Sequence, residues 1–378
     1  MSNALFIAIG VGQGDAFFME KDGRRMLVDG GRSVKNFPMK FKQATNREKV
    51  DVLVCTHNDS DHACGVLGFL KGGLTANEVW LPASWMDRLG DLISNPKSFW
   101  KELITDIEKL DYRIEDLHSI GEMYCMTPVE EEGPFVEENA ENLLKVFQYG
   151  LQSYQDSVFR LYIKLFEKWL MSKKYRLIEK AAKASNLIRE IVLTAYCSGS
   201  LIRWYDYVGN HKCSNPSGGI SNFLVPVNAV EVTKIRRRRK SALEYVALTT
   251  VNKHSLVFLS PNDEVSPGVL FTADSDLSFY QRIPWHDQMI ITSPHHGSEN
   301  NRNAYLRFNR ETSGKLSVVW VRSDRRSRRP GKSYLKVKGD KYCTVCRGSI
   351  LPKQNVQLAF SKFNNAWQPF NNTRKCQC

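Results

Sequence analysis

Short apolar runs, separated by Gly, Asp and Asn, open the chain. They lie at 5–9, 16–19, 25–28 and 50–56, and their length and spacing predict β-strands. The run 50–56 is apolar almost throughout, which is typical of a central strand buried on both faces. The next stretch, 63–70, predicts a helix. The chain therefore begins as a strand-rich α/β fold.

The hydrophobic period changes after Pro82. From about 96 to 192, apolar residues recur every three or four positions, which predicts amphipathic helices. Examples are Phe99, Leu103, Ile107 and Leu110, and further on Leu143, Leu144, Phe147 and Leu151. The same spacing continues through 158–171 and 175–192, and a polar segment follows at 198–219. This part predicts a helical body inserted between strand-rich parts.

Strand-like runs return from residue 242 onward. They lie at 242–250, 256–259, 269–272, 289–292, 316–321 and 334–337. The simplest interpretation is one α/β domain, with its first half at 1–83, a mainly helical insertion at 84–240 and its second half at 241–378. The apolar faces of the insertion are expected to form its own core. A homo-oligomer or a protein partner bound through the insertion is the alternative.

Four potential metal ligands crowd one predicted strand-to-helix loop. The residues are His57, Asp59, Asp61 and His62. Neutral imidazoles together with carboxylates suit Zn or Mn. In the alternative interpretation the aspartates only cap the next helix. Two histidines and two aspartates within six residues argue for the metal site instead.

Two later predicted strands end in further ligand types. Asp274 follows 269–272, and the pair His295 and His296 follows 289–292. Each segment alone is a weak signal, because an aspartate after a strand is commonly a turn residue. In an α/β fold, however, the carboxyl ends of adjacent strands converge on one crevice. The three clusters together therefore predict one metal centre.

These segments resemble the metallo-β-lactamase fold, and specifically the soluble hydrolase domain of the ComEC/Rec2 competence group. The matching stretches are Gly10-Val11-Gly12-Gln13-Gly14-Asp15-Ala16, Val28-Asp29-Gly30-Gly31, His57-x-Asp59-x-Asp61-His62, Asn252-Lys253-His254-Ser255-Leu256-Val257, Asp274, and Pro294-His295-His296-Gly297-Ser298. They cover about residues 3–83 and 245–350, outside the insertion. The resemblance implies a four-layer αββα sandwich with a large helical insertion.

The resemblance also implies a binuclear site with two divalent ions, Zn or Mn. Its ligands would be His57 and Asp59 for one ion, Asp61, His62 and His296 for the other, and Asp274 as the bridge. Asp29, His295 and Ser298 would support these ligands by hydrogen bonds. The chain departs from the group at Gly10, where the group has Asp, and at Arg328-Arg329-Pro330-Gly331, which stands in place of a Gly-His-Pro element.

Two such ions, about 3.5–4 Å apart, can activate a water at neutral pH and stabilise charge on a phosphoryl or acyl oxygen. Asp59 or Asp61 could take the proton of that water. Arg329 could stabilise the transition state. The metal site alone does not choose between phosphodiester, thioester, lactone and β-lactam substrates.

The charge of the chain bears on that choice. A net charge of +13 favours a polyanionic partner, first of all nucleic acid. The arginines expected to contact its backbone are Arg322, Arg325, Arg326 and Arg328, and in a second cluster Arg236, Arg237, Arg238 and Arg239. A solvated loop is the alternative for either cluster. The leading hypothesis is a metal-dependent phosphodiesterase or nuclease acting on DNA or RNA. The alternatives are hydrolysis of a small phosphodiester, ester or lactone, and a non-catalytic regulatory binding protein.

The remaining expectations concern location and cysteines. The chain has no apolar run long enough to span a bilayer and no basic, apolar leader, so a cytoplasmic protein without a membrane partner is expected. Cys343 and Cys346, with Cys376 and Cys378, could form a second zinc site. We expect none, because 342–347 predicts a strand, and residues three apart on a strand point to opposite faces.

Overall fold

The computed structural model describes residues 4–110, 114, 116–126, 136–138, 173–232, 235–237, 240–323, 329–346 and 354–376. They form two units. Unit 1 comprises Met1–Pro82, Thr194–Glu231 and Asn252–Cys378, and unit 2 comprises Ala83–Leu193 and Val232–Val251. The predicted insertion, 84–240, differs from unit 2 mainly at 194–231, which lies in unit 1.

Unit 1 contains two β-sheets, and all strands are numbered here in chain order. The nine-stranded sheet has the order β17-β16-β1-β2-β3-β4-β5-β7-β9. Its strands are β1 (Ala4–Ala8), β2 (Phe17–Lys21), β3 (Arg24–Val28), β4 (Lys49–Val54), β5 (Thr75–Pro82), β7 (Leu201–Tyr207), β9 (Ala229–Glu231), β16 (Val356–Ser361) and β17 (Ala366–Pro369). β3, β4, β5 and β7 are parallel neighbours.

The second sheet of unit 1 has six strands in the order β15-β14-β13-β12-β11-β8. They are β8 (Val225–Pro226), β11 (Phe258–Ser260), β12 (Val269–Phe271), β13 (Ile290–Thr292), β14 (Val319–Arg322) and β15 (Asp340–Cys343). β12 to β15 run parallel. Their carboxyl ends therefore share one edge, where Asp274 and His296 follow.

The two sheets of unit 1 pack face to face, with helices on their outer faces. Phe6 and Phe17 of the larger sheet lie 6.3 Å from Phe271 of the smaller sheet, measured between ring centroids. On the outer face of the larger sheet lie α1 (Phe37–Thr45) and α2 (Ser60–Lys71), where Phe41 packs on Phe18. On the other side, Trp320 packs on Phe308 of α8 (Arg302–Thr312). The predicted four-layer α/β sandwich is confirmed.

Unit 2 is mainly helical in its described residues. The helices of the chain between the two halves of the sandwich are α3 (Leu89–Ser94), α4 (Pro96–Glu108), α5 (Leu117–Met126), α6 (Lys173–Cys197) and α7 (Ala242–Thr249). A short hairpin pairs β6 (Val136–Glu138) with β10 (Ile235–Arg237). The predicted helices over 143–151 and 158–171 lie outside the described residues. Across the part of the chain that the structure describes, no helix is long and apolar enough to cross a membrane.

Two predicted strands are helices in the structure. The first is 242–250, where Ser241 accepts a hydrogen bond from Glu244 N and caps α7. This cap favours a helix, and the short apolar run that predicted a strand fits a buried helix equally well. The second is 334–337, where α9 (Lys332–Lys336) buries Tyr334.

Candidate metal centre

Two glycine-rich turns of unit 1 pack directly on the first turns of α2. A Cβ on Gly14 would lie 1.6 Å from the carbonyl oxygen of Asp61, and a Cβ on Gly65 would lie 1.8 Å from that of Gly30. Backbone hydrogen bonds join the same parts, from Gly30 N to His62 O at 3.0 Å and from Asp15 N to Asp61 O at 3.2 Å. Only glycine permits this approach. The turns therefore fix where the side chains of the 57–62 loop point.

Asp29 orients two of the histidines. Its Oδ2 accepts a hydrogen bond from His62 Nδ1 at 2.8 Å and one from the Thr56 hydroxyl at 2.8 Å. Because that hydroxyl donates to Asp29, its oxygen accepts from His57 Nδ1, at 2.9 Å. Both imidazoles thus carry a proton on Nδ1 and present Nε2 to the centre.

Asp15 orients the third histidine in the same way. Its Oδ1 accepts a hydrogen bond from His296 Nδ1 at 2.9 Å and another from the hydroxyl of Ser323. Asp15, His296 and Ser323 are all buried. His296 Nε2 is thereby also turned toward the centre.

The Nε2 atoms of His57, His62 and His296 converge on Asp274. Their distances to the nearest Asp274 oxygen are 3.7, 3.2 and 3.8 Å respectively. These three nitrogens and Asp274 Oδ1 are buried, and none forms a hydrogen bond of good geometry with a described residue. Such buried polar atoms are costly unless something binds them. A divalent cation fits this donor set.

The donors form two groups that share Asp274. One group is Asp15, His62, Asp274 and His296, and the other is His57, Asp59 and Asp274. Asp59 Oδ2 lies 3.9 Å from His57 Nε2, and Asp61 Oδ2 lies 3.6 Å from His296 Nε2. All six residues named from the sequence as ligands are thus brought together.

Residues 9–110 match the model of the metallo-beta-lactamase superfamily. The matched segment includes the glycine-rich turns and the loop with His57 and His62 but ends before Asp274. The superfamily match and the His/Asp cluster together indicate a metal-dependent hydrolase. No curated protein matches the chain.

The electrostatics of this His/Asp centre favour positive charge. Burial alone would lower the pKa of His296, but Asp15 and Asp274 raise it to about 10. Burial likewise opposes charge on Asp274, yet His295, His62 and His296 hold its pKa well below the usual range. A divalent cation in this field would bind the Nε2 atoms of neutral imidazoles and displace any protons that these atoms carry.

His295 lies beside the centre, and its pKa is shifted in the opposite direction from that of His296. Burial lowers its pKa to about 4, against the opposing effect of Asp274, so it is neutral at pH 7. Its Nδ1 lies 3.2 Å from Asn301 Oδ1, and its Nε2 accepts a hydrogen bond from Arg329 at 2.6 Å. Asp274 also receives a hydrogen bond from Asn252 at 3.3 Å. His295 therefore connects Arg329 to the edge of the centre.

Four residues of the centre have left-handed backbone. The φ angles are 59° at Asp29, 47° at Ala273, 45° at His295 and 56° at His296. Non-glycine residues adopt this region at a cost of about 1–3 kcal/mol each, and such strain is concentrated at functional sites. The strain is the cost of pointing side chains from three strand ends at one place.

Other residues named from the sequence lie elsewhere. Ser298 caps a short 3₁₀ turn by accepting from Asn300 N. Arg322 is buried and donates to the carbonyl of Val345 at 2.6 Å, so it is not on a surface that a polynucleotide could meet. This corrects the expectation for Arg322, which is the last residue of β14 and is buried like the rest of that strand. Only the backbone of Arg236 and Arg237 is described, and Arg238, Arg239, Arg325, Arg326 and Arg328 lie outside the described residues.

Sequence reasoning assigned no role to several residues that contact the centre. They are Asp15, Thr56, Asn252, Asn301 and Ser323. Asp15 had a signal, because it follows the glycine turn of a recognised motif. Thr56 and Ser323 had none, since their contacts depend on pairings between distant strands.

Proposed function

We propose that this protein is a metal-dependent phosphodiesterase that cleaves DNA or RNA at the His/Asp centre. The observation that carries the proposal is the convergence of three buried imidazole Nε2 atoms on Asp274. The superfamily match at residues 9–110 supports the hydrolase class. The likeness of the motifs to the ComEC/Rec2 group supports a nucleic-acid substrate.

The two donor groups that share Asp274 support two ions, Zn or Mn. His57 and Asp59 would hold one, and Asp61, His62 and His296 the other. Such ions would act as Lewis acids and lower the pKa of water, so that hydroxide is available at neutral pH to attack a phosphodiester. Asp59, with a side chain 32% exposed, and Asp61, at 12%, are the acidic groups nearest to solvent. We propose that Asp59 or Asp61 accepts the proton of the attacking water.

Positive charge beside the centre supports a phosphodiester rather than a neutral ester. Arg329 donates a hydrogen bond to His295. We propose that Arg329 stabilises the negative charge that builds up on the phosphate in the transition state. The sequence places Arg325, Arg326 and Arg328 between Ser323 and Arg329, both of which contact the centre. The net charge of +13 adds a long-range attraction for polyanions.

The test uses the purified protein with added Mn²⁺ or Zn²⁺. Its substrates are single-stranded DNA, double-stranded DNA, RNA and bis(p-nitrophenyl) phosphate. We expect metal-dependent cleavage of a polynucleotide, abolished by chelation and by the double change Asp61→Ala, His62→Ala. The matched control is His211→Gln, which removes an exposed histidine outside the cluster and should leave activity unchanged.

The outcomes separate the alternatives. Cleavage of bis(p-nitrophenyl) phosphate with intact polynucleotides would replace the nuclease by a small-phosphodiester hydrolase. Hydrolysis of a lactone or carboxylic ester alone would overturn the phosphodiesterase assignment. A metal-loaded protein that turns over none of these substrates would leave a binding protein with the same fold.

A further inference from the structure

Three cysteine sulfurs meet where β15 of the six-stranded sheet ends, and they form a group of their own that shares no residue with the His/Asp centre. The Sγ atom of Cys343 lies 3.3 Å from that of Cys346 and 3.0 Å from that of Cys376, and the other two are 3.6 Å apart. The sequence argument against a site here fails, because β15 ends at Cys343. The chain bends at Thr344 and Val345 and brings Cys346 back to the same side.

We propose that Cys343, Cys346 and Cys376 hold a structural zinc ion. Sulfurs placed tetrahedrally at about 2.3 Å from zinc are roughly 3.8 Å from one another, so the three separations need to open by about 0.2 to 0.8 Å. Thiolates select zinc over the harder ions Mg²⁺ and Mn²⁺. Cys378, which the sequence places two residues after Cys376, lies outside the described residues.

The backbone around the cluster is held in place by hydrogen bonds. Cys376 N donates to the carbonyl of Lys341 at 2.7 Å, in the strand that ends at Cys343. The side chain of Gln354 donates to the carbonyls of Cys343 and Arg374, both at 3.0 Å, and accepts from Arg374 N at 3.1 Å. The two segments that carry the thiols are therefore aligned before any ion binds.

Positive groups near the cluster suit bound thiolates. Arg322 donates to the carbonyl of Val345, between the first two cysteines. Lys341 precedes Cys343 by two positions, and Arg374 precedes Cys376 by two. A zinc ion with three thiolates carries a net negative charge, which these cations offset.

The ion would join the two sheets of unit 1. Cys343 ends β15 of the six-stranded sheet, whereas Cys376 lies in the tail that follows β17 of the nine-stranded sheet. That tail pairs with β15 at Tyr342 and Lys375. The role proposed for the zinc ion is structural, and this proposal does not depend on the proposed hydrolase activity.

The experiment measures zinc in the full-length protein, purified in reductant without chelator. A His62→Ala, His296→Ala variant depletes the His/Asp centre, and zinc is then released with a thiol-specific mercurial and read with a colorimetric indicator. We expect this variant to release one equivalent. We expect Cys343→Ser, Cys346→Ser to release none, with an affinity weakened by at least about 100-fold, since even outer-shell changes cost about 10–100-fold. The control Cys197→Ser, Cys213→Ser removes exposed cysteines and should behave as wild type.

A second measurement covers a cysteine variant that fails to fold. Metal-free His62→Ala, His296→Ala protein, which keeps all its cysteines, is titrated with Co²⁺, and a thiolate-to-cobalt charge-transfer band is expected to saturate at one equivalent. Its absence, or thiol-releasable zinc that persists in the Cys343→Ser, Cys346→Ser variant, would overturn the proposal. A disulfide found by mass spectrometry between any two of the three cysteines of the freshly purified protein would overturn it as well. Hydrolase activity is not read in any of these assays, so either proposal can fail alone.

Discussion

Asp29 contacts three groups at once, and its position explains much of the centre. It bonds His62 directly, reaches His57 through Thr56, and also accepts the backbone N–H of Thr56 at 2.9 Å. A carboxylate behind a ligand histidine fixes the ring and raises its basicity. The same arrangement recurs between Asp15 and His296. The histidines of the centre are therefore preorganised by carboxylates that bind them on the Nδ1 side.

We predict that Asp29→Asn weakens metal binding by about 10–100-fold, because an amide can no longer accept all three hydrogen bonds. Metal affinity is measured by titration of the metal-free protein with Zn²⁺. The control is Asp22→Asn at an exposed turn with left-handed backbone, which asparagine tolerates. Equal affinities of wild type and Asp29→Asn would show that Asp29 has no part in holding the histidines.

A second residue-scale prediction concerns pH. The buried Nζ of Lys21 lies 2.9 Å from Asp263 Oδ2. Burial by itself raises the pKa of Asp263, but the hydrogen bond from Lys21 lowers it below the ordinary value. The ion pair therefore stabilises the fold above the unfolded pKa of about 4 and is lost as the pH falls through the folded pKa.

Asp263→Asn should accordingly lower the free energy of unfolding at pH 7 by about 1–3 kcal/mol, and the loss should shrink below about pH 4. Denaturant unfolding at several pH values measures this difference. A double-mutant cycle with Lys21→Met isolates the pair. A difference that does not change between pH 7 and pH 3 would exclude the ion pair as its source.

At the scale of secondary-structure elements, the position of α2 decides the geometry of the 57–62 loop. Gly65 lies on this helix against Gly30, and no side chain fits between them. An alanine in the interior of a helix normally stabilises it by about 0.5–1 kcal/mol relative to glycine. Here the sign should be reversed, because a Cβ would overlap the backbone of Gly30.

We predict that Gly65→Ala costs about 1–3 kcal/mol of stability and lowers metal content as well. Thermal unfolding and metal analysis test the two effects. Gly23→Ala is the control, since its Cβ would have no neighbour within 4 Å and only its φ of +78° is unfavourable. A stabilised Gly65→Ala variant would mean that α2 can shift without loss.

The elements that the sequence predicted well are the ones with strong local signals. β1 to β4 and α2 lie within a few residues of their predicted positions, because their apolar runs are bounded by glycine, aspartate and asparagine. The errors at α7 and α9 come from short apolar segments, in which period and length do not separate a buried helix from a strand. The candidate ligands followed from the strand ends. The hydrogen bonds that support these ligands could not be predicted, because they depend on which strands are neighbours in the sheets.

At the scale of the whole molecule, charge provides the clearest prediction. Polynucleotide binding should weaken steeply with salt. A plot of the logarithm of the association constant against the logarithm of the salt concentration should have a slope of about −0.9 for each phosphate contact on duplex DNA. Hydrolysis of bis(p-nitrophenyl) phosphate should change little over the same range. Filter binding and the chromogenic assay measure the two.

Replacing Arg325, Arg326 and Arg328 with glutamine should make this salt slope shallower. The control is Arg302→Gln, Arg310→Gln on the exposed face of α8. An unchanged slope in the triple variant would show that these arginines are not part of the proposed interface. A slope near zero in wild type would show that the protein does not bind nucleic acid through phosphate contacts.

The division into units was the least predictable property of the molecule. β7 and β9 lie in the nine-stranded sheet, although β7 is separated from its neighbour β5 by the whole first segment of unit 2. The apolar and aromatic residues of β7 favour a strand, but nothing in its sequence indicates so distant a partner. The predicted insertion, 84–240, therefore includes the segment in which the chain returns to the nine-stranded sheet at Leu201.

The pairing of β5 with β7 constrains any attempt to trim this protein. The strands run parallel, with Glu78 opposite Leu201 and Pro82 opposite Tyr205. A tight hairpin cannot join parallel strands; the chain has to travel back along the sheet through about a dozen residues or more. A miniaturised version thus cannot splice Pro82 to Leu201, and must retain a return path such as the last turns of α6.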